Sequence, residues 1–232
     1  MNKILAFVAV IVTLVSCKRD AGYTDSGAFN FLNASINAPK LDVFVDGGLY
    51  ATKVAFPTLS NTFFIPVEGV PPIFRFAPSE GAQTIAYYGS ISNANLKNNN
   101  NYTIVATDSI DKVKLSFVND TLITPESGYC RVRYFQLAAD YKDTVNLLID
   151  TFKIAQKRLF NDQASNTTLH AFKTMKAGKY NLYLKKNNGS PIYSMPNVVF
   201  NSQKNYTIIT KGSMDGLLFT PQQFDFTVFE QN

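Results

Sequence analysis

The chain of 232 residues has no tryptophan, one histidine and two cysteines. Each scarcity removes a class of function. A single histidine, His170, cannot build a His-rich metal site, and the H-E-x-x-H pattern of zinc proteases is absent. G-x-S-x-G, the P-loop and G-x-G-x-x-G are also missing, and with them the nucleophile elbow and the phosphate-cradling loops. Without tryptophan, the Cys–Trp–Cys core of antibody domains cannot form. Charged residues make up only 17%, and the lysines and arginines are scattered rather than run together, which argues against nucleic-acid binding. The one greasy run, Ile4 to Val15, falls short of the roughly 20 apolar residues that cross a bilayer.

That run has a use. Lys3 precedes it and Ser16-Cys17-Lys18-Arg19 follow it, which is the layout of a secretory signal peptide. Leu14-Val15-Ser16-Cys17 resembles the bacterial lipobox, in which a small residue precedes an invariant cysteine. The resemblance implies that the Cys17 thiol is alkylated with diacylglycerol and that cleavage makes Cys17 the first mature residue. Residues 1–16 are then the lipoprotein signal peptide, and 17–27 are the lipidated cysteine and a flexible tether. Acyl chains contribute roughly 0.8 kcal/mol per buried methylene, so two or three of them anchor stably. Cys130, left without a partner in the alternating stretch "YCRVRYF", reads as a small buried residue.

The rest of the chain is repeated. "NYTIVATDSIDKVKL" begins at Asn101 and "NYTIITKGSMDGLLF" at Asn205, an offset of 104. "LDVFVD" ends at Asp46 and "VNLLID" at Asp150, again 104 apart. "SNT" recurs from Ser60 to Ser165. The boundaries expected are a first unit at 28–122, a linker at 123–128 that contains "TPESG", and a second unit at 129–232. Each unit reads as short runs rich in Phe, Tyr, Val, Ile and Thr, bounded by Gly, Pro, Asn or Asp, with no convincing helical period. Six or seven strands per hundred residues predict an all-β protein of two tandem immunoglobulin-like β-sandwich domains. "TTLHAFK" is read as a strand of the second unit and "GLLFTP" as its closing one. Tyr102 and Tyr206, in the paired NYTI strands, are expected in or over the core with a partner for each hydroxyl.

"FLNASINAPKLDVFVDG" and "NYTIVATDS" resemble the bacterial domain of unknown function 4397. The residues that carry the likeness are Asn33-Ala34-Ser35, Ala38-Pro39, Leu41-Asp42-Val43 and Val45-Asp46-Gly47; the second copy lacks the proline. The resemblance implies an Ig-like sandwich, often duplicated, in exported proteins and lipoproteins such as those of Bacteroidota-type outer membranes. It brings no catalytic residues with it.

Little in the residues points to bond-making chemistry. Asp46 recurs as Asp150 and Asp111 as Asp215, and a carboxylate kept in both copies is more simply structural, bonding its own turn. Asp42 and Asp108 stand near them, and no dense Asp loop marks a calcium site. Tyr87-Tyr88 and Tyr193 lie near strand ends, where tyrosines stack on sugars or enter interfaces. The expectation is a non-enzymatic protein without cofactor or metal, held to the bacterial outer membrane or cell envelope through Cys17. It would bind an unidentified protein or glycan, in adhesion or ligand presentation. The alternative is a glycan-binding accessory lipoprotein of a nutrient-uptake system.

Overall fold

The computed structural model describes residues 25–67, 70–79, 89–92, 96–214 and 223–231. Among them there is no α-helix; three short 3-10 turns, Ile110–Lys112, Asp162–Ala164 and Thr167–His170, punctuate a structure made of strands.

In the first half, β1 (Ser26–Ile36) has β4 (Thr58–Leu59) and β5 (Phe63–Pro66) on one side. On its other side it runs parallel to β8 (Asn101–Ser109), which pairs with β9 (Lys114–Asp120). The second sheet has the order β3 (Gly48–Val54), β2 (Leu41–Val45), β6 (Phe74–Pro78), β7 (Gly89–Ile91). The second half repeats this plan. One sheet has the order β13 (Lys173–Lys176), β10 (Tyr129–Gln136), β16 (Asn205–Lys211), β17 (Asp225–Gln231), with β10 parallel to β16. The other has the order β12 (Phe152–Arg158), β11 (Val145–Ile149), β14 (Gly178–Lys186), β15 (Pro191–Phe200). The chain is therefore all-β, two tandem sandwiches. The likeness to immunoglobulin domains is one of architecture, because constant domains order their sheets ABED and CFG.

Alternation builds each core. In β2, Leu41, Val43 and Val45 point inward while Asp42 and Phe44 do not. With Phe29, Phe31, Phe74, Phe76, Tyr102 and Ile104 they fill the first sandwich. Val132, Tyr134, Val145, Leu147, Ile149, Leu182, Leu184 and Ile208 fill the second. Cys130 is wholly buried there, and burial raises its thiol pKa to about 11.

The duplication extends to backbone detail. Asp46 and Asp150 both turn left-handed, at φ 50° and 49°, as do Lys53 and Lys157 (54° and 48°) and Asn99 and Gln203 (57° and 64°). The first pair closes the β2–β3 and β11–β12 hairpins, and Asp46 is followed by Gly47, whose φ of 87° suits glycine. The aspartates are structural. Asp46 Oδ1 accepts from Ile73 N at 2.9 Å, and Asp150 Oδ1 accepts from Asn181 N at 2.9 Å. Tyr102 and Tyr206 are buried as expected, their hydroxyls accepting from Lys97 N at 2.6 Å and Asn201 N at 2.9 Å.

Two readings need correction, and two strands form where the sequence predicts none. Thr167–His170 of "TTLHAFK" is a 3-10 turn, and only Lys173–Lys176 beyond it pairs with β10. Asn166 explains the turn, since its side chain accepts from Thr168 N and its hydroxyl, at 3.1 and 2.7 Å. The strand that pairs with β16 to close the second sandwich is Asp225–Gln231; "GLLFTP", residues 216–221, lies outside the described residues. Finally, "GLYATKV" and "FKIAQKR" are strands β3 and β12, although their mixed polarity does not look like strand.

The sandwiches are fused. A third apolar cluster, Leu32, Ala34, Val105, Val118, Phe135, Leu137 and Ile209, with Phe229 against it, lies between them. It uses the outer faces of β1, β8 and β9 from one copy and β10, β16 and β17 from the other. These are equivalent positions. By strand register Leu32 matches Phe135, Val105 matches Ile209, and Val118 matches Phe229. At one end of the seam Asp120 meets Arg133 at 2.6 Å, with both side chains essentially inaccessible. Asp120 Oδ2 accepts from the Thr103 hydroxyl at 2.6 Å. The guanidinium donates to Thr207 Oγ1 (2.8 Å) and Gln231 Oε1 (3.0 Å), and Gln231 Nε2 donates to Thr103 Oγ1 (3.2 Å). The rings of Phe172 and Phe135 lie 4.4 and 4.8 Å from the guanidinium carbon.

Candidate functional site: a lysine-walled furrow

Of the residues singled out in the sequence, Cys17, Tyr87, Tyr88 and Asp215 lie outside the described residues. Tyr193, on β15, is half-buried and packs edge-on against Phe226 and Phe224, centroids 5.5 and 6.3 Å away. Burial first, then Asp225 beside it, raises its pKa to about 12. Its ring is thereby engaged by the second sandwich. His170 is buried, with Nε2 3.0 Å from the Gln163 carbonyl, and burial holds its pKa below the usual value. A space of about 440 Å³ at the seam includes His170 with Tyr102, Phe117, Asn119 and Thr121, but no carboxylate or cysteine lines it. Asp42 Oδ1 is occupied by Lys53 N (2.8 Å) and the Ser79 hydroxyl (2.6 Å). Asp108 pairs with Lys114 at 3.1 Å, and Asp111 stands exposed on the Ile110–Lys112 turn. Among the described residues no three His, Cys, Asp or Glu side chains converge as a metal site would require.

What the fold does assemble is basic. Residues 129–232 hold 13 Lys and Arg against 7 Asp and Glu, a balance of +6; residues 28–122 hold 6 against 7, a balance of −1. On the outer face of the β12–β11–β14 sheet a furrow of about 350 Å³ has Lys153 and Lys157 on one wall and Lys185 on the other, with Lys186 lining it at the strand end. Asn146 and Leu148 of β11 form its floor. The pleat explains the floor, because Val145, Leu147 and Ile149 point into the core and the residues between them point out. A bulge explains the first wall. Between the pairs Leu147↔Ala155 and Val145↔Arg158, β12 carries one residue more than β11. The left-handed Lys157 is held there by its own amide, which donates to Asn146 Oδ1 at 2.9 Å. Tyr183, across from Leu148 in register, stands beside Lys185, whose ammonium lies 5.8 Å from the ring centre. None of the four ammonium groups is ion-paired among the described residues. Sequence reading missed this set because its members come from two strands about thirty residues apart.

The family model "Domain of unknown function (DUF4397)" matches residues 27–146, more than half of the chain. The chain belongs to the DUF4397 family. The DUF4397 match covers the first sandwich and runs on through β10, the strand that brings Arg133 and Phe135 to the seam. No curated protein matches the sequence. Among solved structures, a Bacteroides fragilis protein described as a "putative cell adhesion protein" is 11% identical, with 84% of each chain covered and a TM-score of 0.18. At that score no common fold is established. No helix among the described residues of this DUF4397 protein is long and apolar enough to cross a membrane.

Proposed function

We propose that this DUF4397 protein is a non-enzymatic binding protein of the bacterial cell envelope, held to the membrane by acylated Cys17 and serving in adhesion or ligand presentation. One observation carries the reading. The buried polar network that includes the one fully buried ion pair among the described residues, Asp120, Arg133, Thr103, Thr207 and Gln231, is used up holding one sandwich to the other. The ammonium groups of the furrow, none of them ion-paired among the described residues, stand on the outer face of a broad sheet rather than in a catalytic cleft. A rigid two-sandwich body on a lipid tether suits recognition at a distance from the bilayer. The boundaries follow the same reading: signal peptide 1–16, tether 17–27, sandwich units 28–122 and 129–232, linker 123–128.

Two measurements test it. Detergent partitioning of the native protein and of Cys17→Ser is expected to move the variant wholly into the aqueous phase; a variant that stays with the membrane removes the anchor. Protein immobilised on beads is expected to retain envelope or host-surface polymers without altering them. Chemical turnover of a retained polymer would overturn the non-enzymatic role. The second reading, a glycan-binding accessory of nutrient uptake, is favoured by Tyr183 standing across from Leu148 in register on the sheet that carries the furrow, since an aromatic face beside an aliphatic one suits a sugar ring.

A further inference from the structure

We infer that the furrow on the β12–β11–β14 face binds an acidic polysaccharide, one carrying sulfate or carboxylate groups along its chain. This rests on the binding role proposed above and names its ligand class. The duplication supplies the first argument, because the first sandwich is an internal control. By strand register, Lys153 is matched by Leu49, Lys185 by Ala77 and Lys186 by Pro78, while Asn146 is matched by Asp42. Only Lys157, the bulge residue, is matched by a lysine, Lys53. The fold therefore does not require the other three lysines. The positions both copies keep, Asp46/Asp150, Tyr102/Tyr206 and the left-handed bulges, hold backbone; the furrow lysines hold none of it with their ammonium groups.

Spacing supplies the second argument. The two walls stand on strands separated by one other, which puts them about 10 Å apart. Lys153 and Lys157 are four residues apart on one strand, spreading that wall over roughly 13 Å. Cations so spread do not converge on one phosphate. They suit anions repeated along a ribbon. The floor supplies the third. Leu148 gives it an apolar patch, the Tyr183 ring stands across from Leu148 in register on β14 beside Lys185, and exposed Gln156 adds an amide to the lining. Pyranose rings present such an apolar face together with hydroxyls and, in acidic polymers, regularly spaced charge.

The test uses the mature protein with dextran sulfate and polygalacturonate as probes, unsulfated dextran as the uncharged control, and anionic phosphatidylglycerol vesicles and single-stranded DNA as the competing polyanions. Calorimetry is expected to show saturable binding to at least one acidic polysaccharide and none to dextran, weakening steeply with added salt as counterions are released. Lys153→Leu with Lys185→Ala installs the residues that the first sandwich tolerates at the same positions, so folding is kept, and circular dichroism checks it. This pair is expected to weaken binding at least tenfold. Tyr183→Ala is expected to weaken it severalfold at unchanged charge, and Lys40→Glu on the first sandwich to leave it unchanged. Equal loss from Lys40→Glu, indifference to Lys153→Leu/Lys185→Ala, or stronger binding to vesicles or DNA than to either polysaccharide overturns the proposal. Retention of a neutral polymer that survives the lysine changes also overturns it, while leaving the binding role standing.

Discussion

Asp120 and Arg133 allow the fused-sandwich reading to be tested quantitatively. Their ion pair is 2.6 Å long, and the side chains are 1% and 0% exposed. Replacing Asp120 by leucine leaves the guanidinium buried with only neutral partners, the Thr207 and Gln231 side chains and the His170 carbonyl at 3.5 Å. A buried pair broken from one side costs about 3–5 kcal/mol, chiefly because the surviving charge stays out of water. Against a typical total of about 5–15 kcal/mol that is a large share, and it corresponds to a melting-temperature drop of about 6–20 °C in a chain of this size. Arg133→Met is expected to cost a similar amount by stranding the carboxylate with the Thr103 hydroxyl. The double variant should recover most of the loss, since Phe135 and Phe172 already flank the site with apolar surface. Guanidinium unfolding of the four proteins gives the coupling from a double-mutant cycle. Because the pair bridges the two halves, each single variant should lower one common transition. A loss under about 1 kcal/mol, or additivity in the double variant, would refute a buried, mutually dependent pair.

Other expectations are equally concrete. Burial lowers the pKa of His170 in the folded protein below 6.5, so the unfolded chain binds the extra proton first; stability should be full above about pH 6.5, fall as the pH drops below it, and flatten once the folded form also protonates. His170→Gln should remove that slope in urea titrations from pH 7 to 4.5. The Cys130 thiol, inaccessible and raised to about 11, should resist a thiol reagent at pH 8 in the native Cys17→Ser protein and react fully in denaturant. Tyr102→Phe and Tyr206→Phe remove matching acceptors of backbone N–H groups, and each should lower stability by about 0.5–1.5 kcal/mol by chemical denaturation.

Where side chains alternate toward a single core, the sequence was a faithful guide. Leu41, Val43 and Val45, and their counterparts Val145, Leu147 and Ile149, mark strands and their inner faces. The NYTI motifs mark buried tyrosines whose hydroxyls are satisfied nearby. Strands β3 and β12 were not legible, because a bulge in each breaks the period of two and turns a lysine left-handed. The seam was not legible either. "CRVRYFQ" alternates as a strand should, yet nothing local tells that Arg131, Arg133 and Phe135 face another sandwich rather than water. Local pattern likewise hid the furrow, whose lysines look like ordinary solvated charge until β12 and β14 are placed on either side of β11. Tyr193 drew attention as a strand-end aromatic; its contacts with Phe224 and Phe226 place it in packing.

The seam between the sandwiches also carries a history. Equivalent residues of the two copies, Leu32 and Phe135, Val105 and Ile209, Val118 and Phe229, share one apolar contact, as the same patch of two subunits does in a twofold homodimer. Two copies in one chain, unlike two identical subunits, are free to differ at matching positions. Asp120 corresponds by register to Gln231, and Arg133 corresponds to Asn30. The ion pair therefore occurs once, at one end of a seam whose apolar positions are otherwise shared by the two copies.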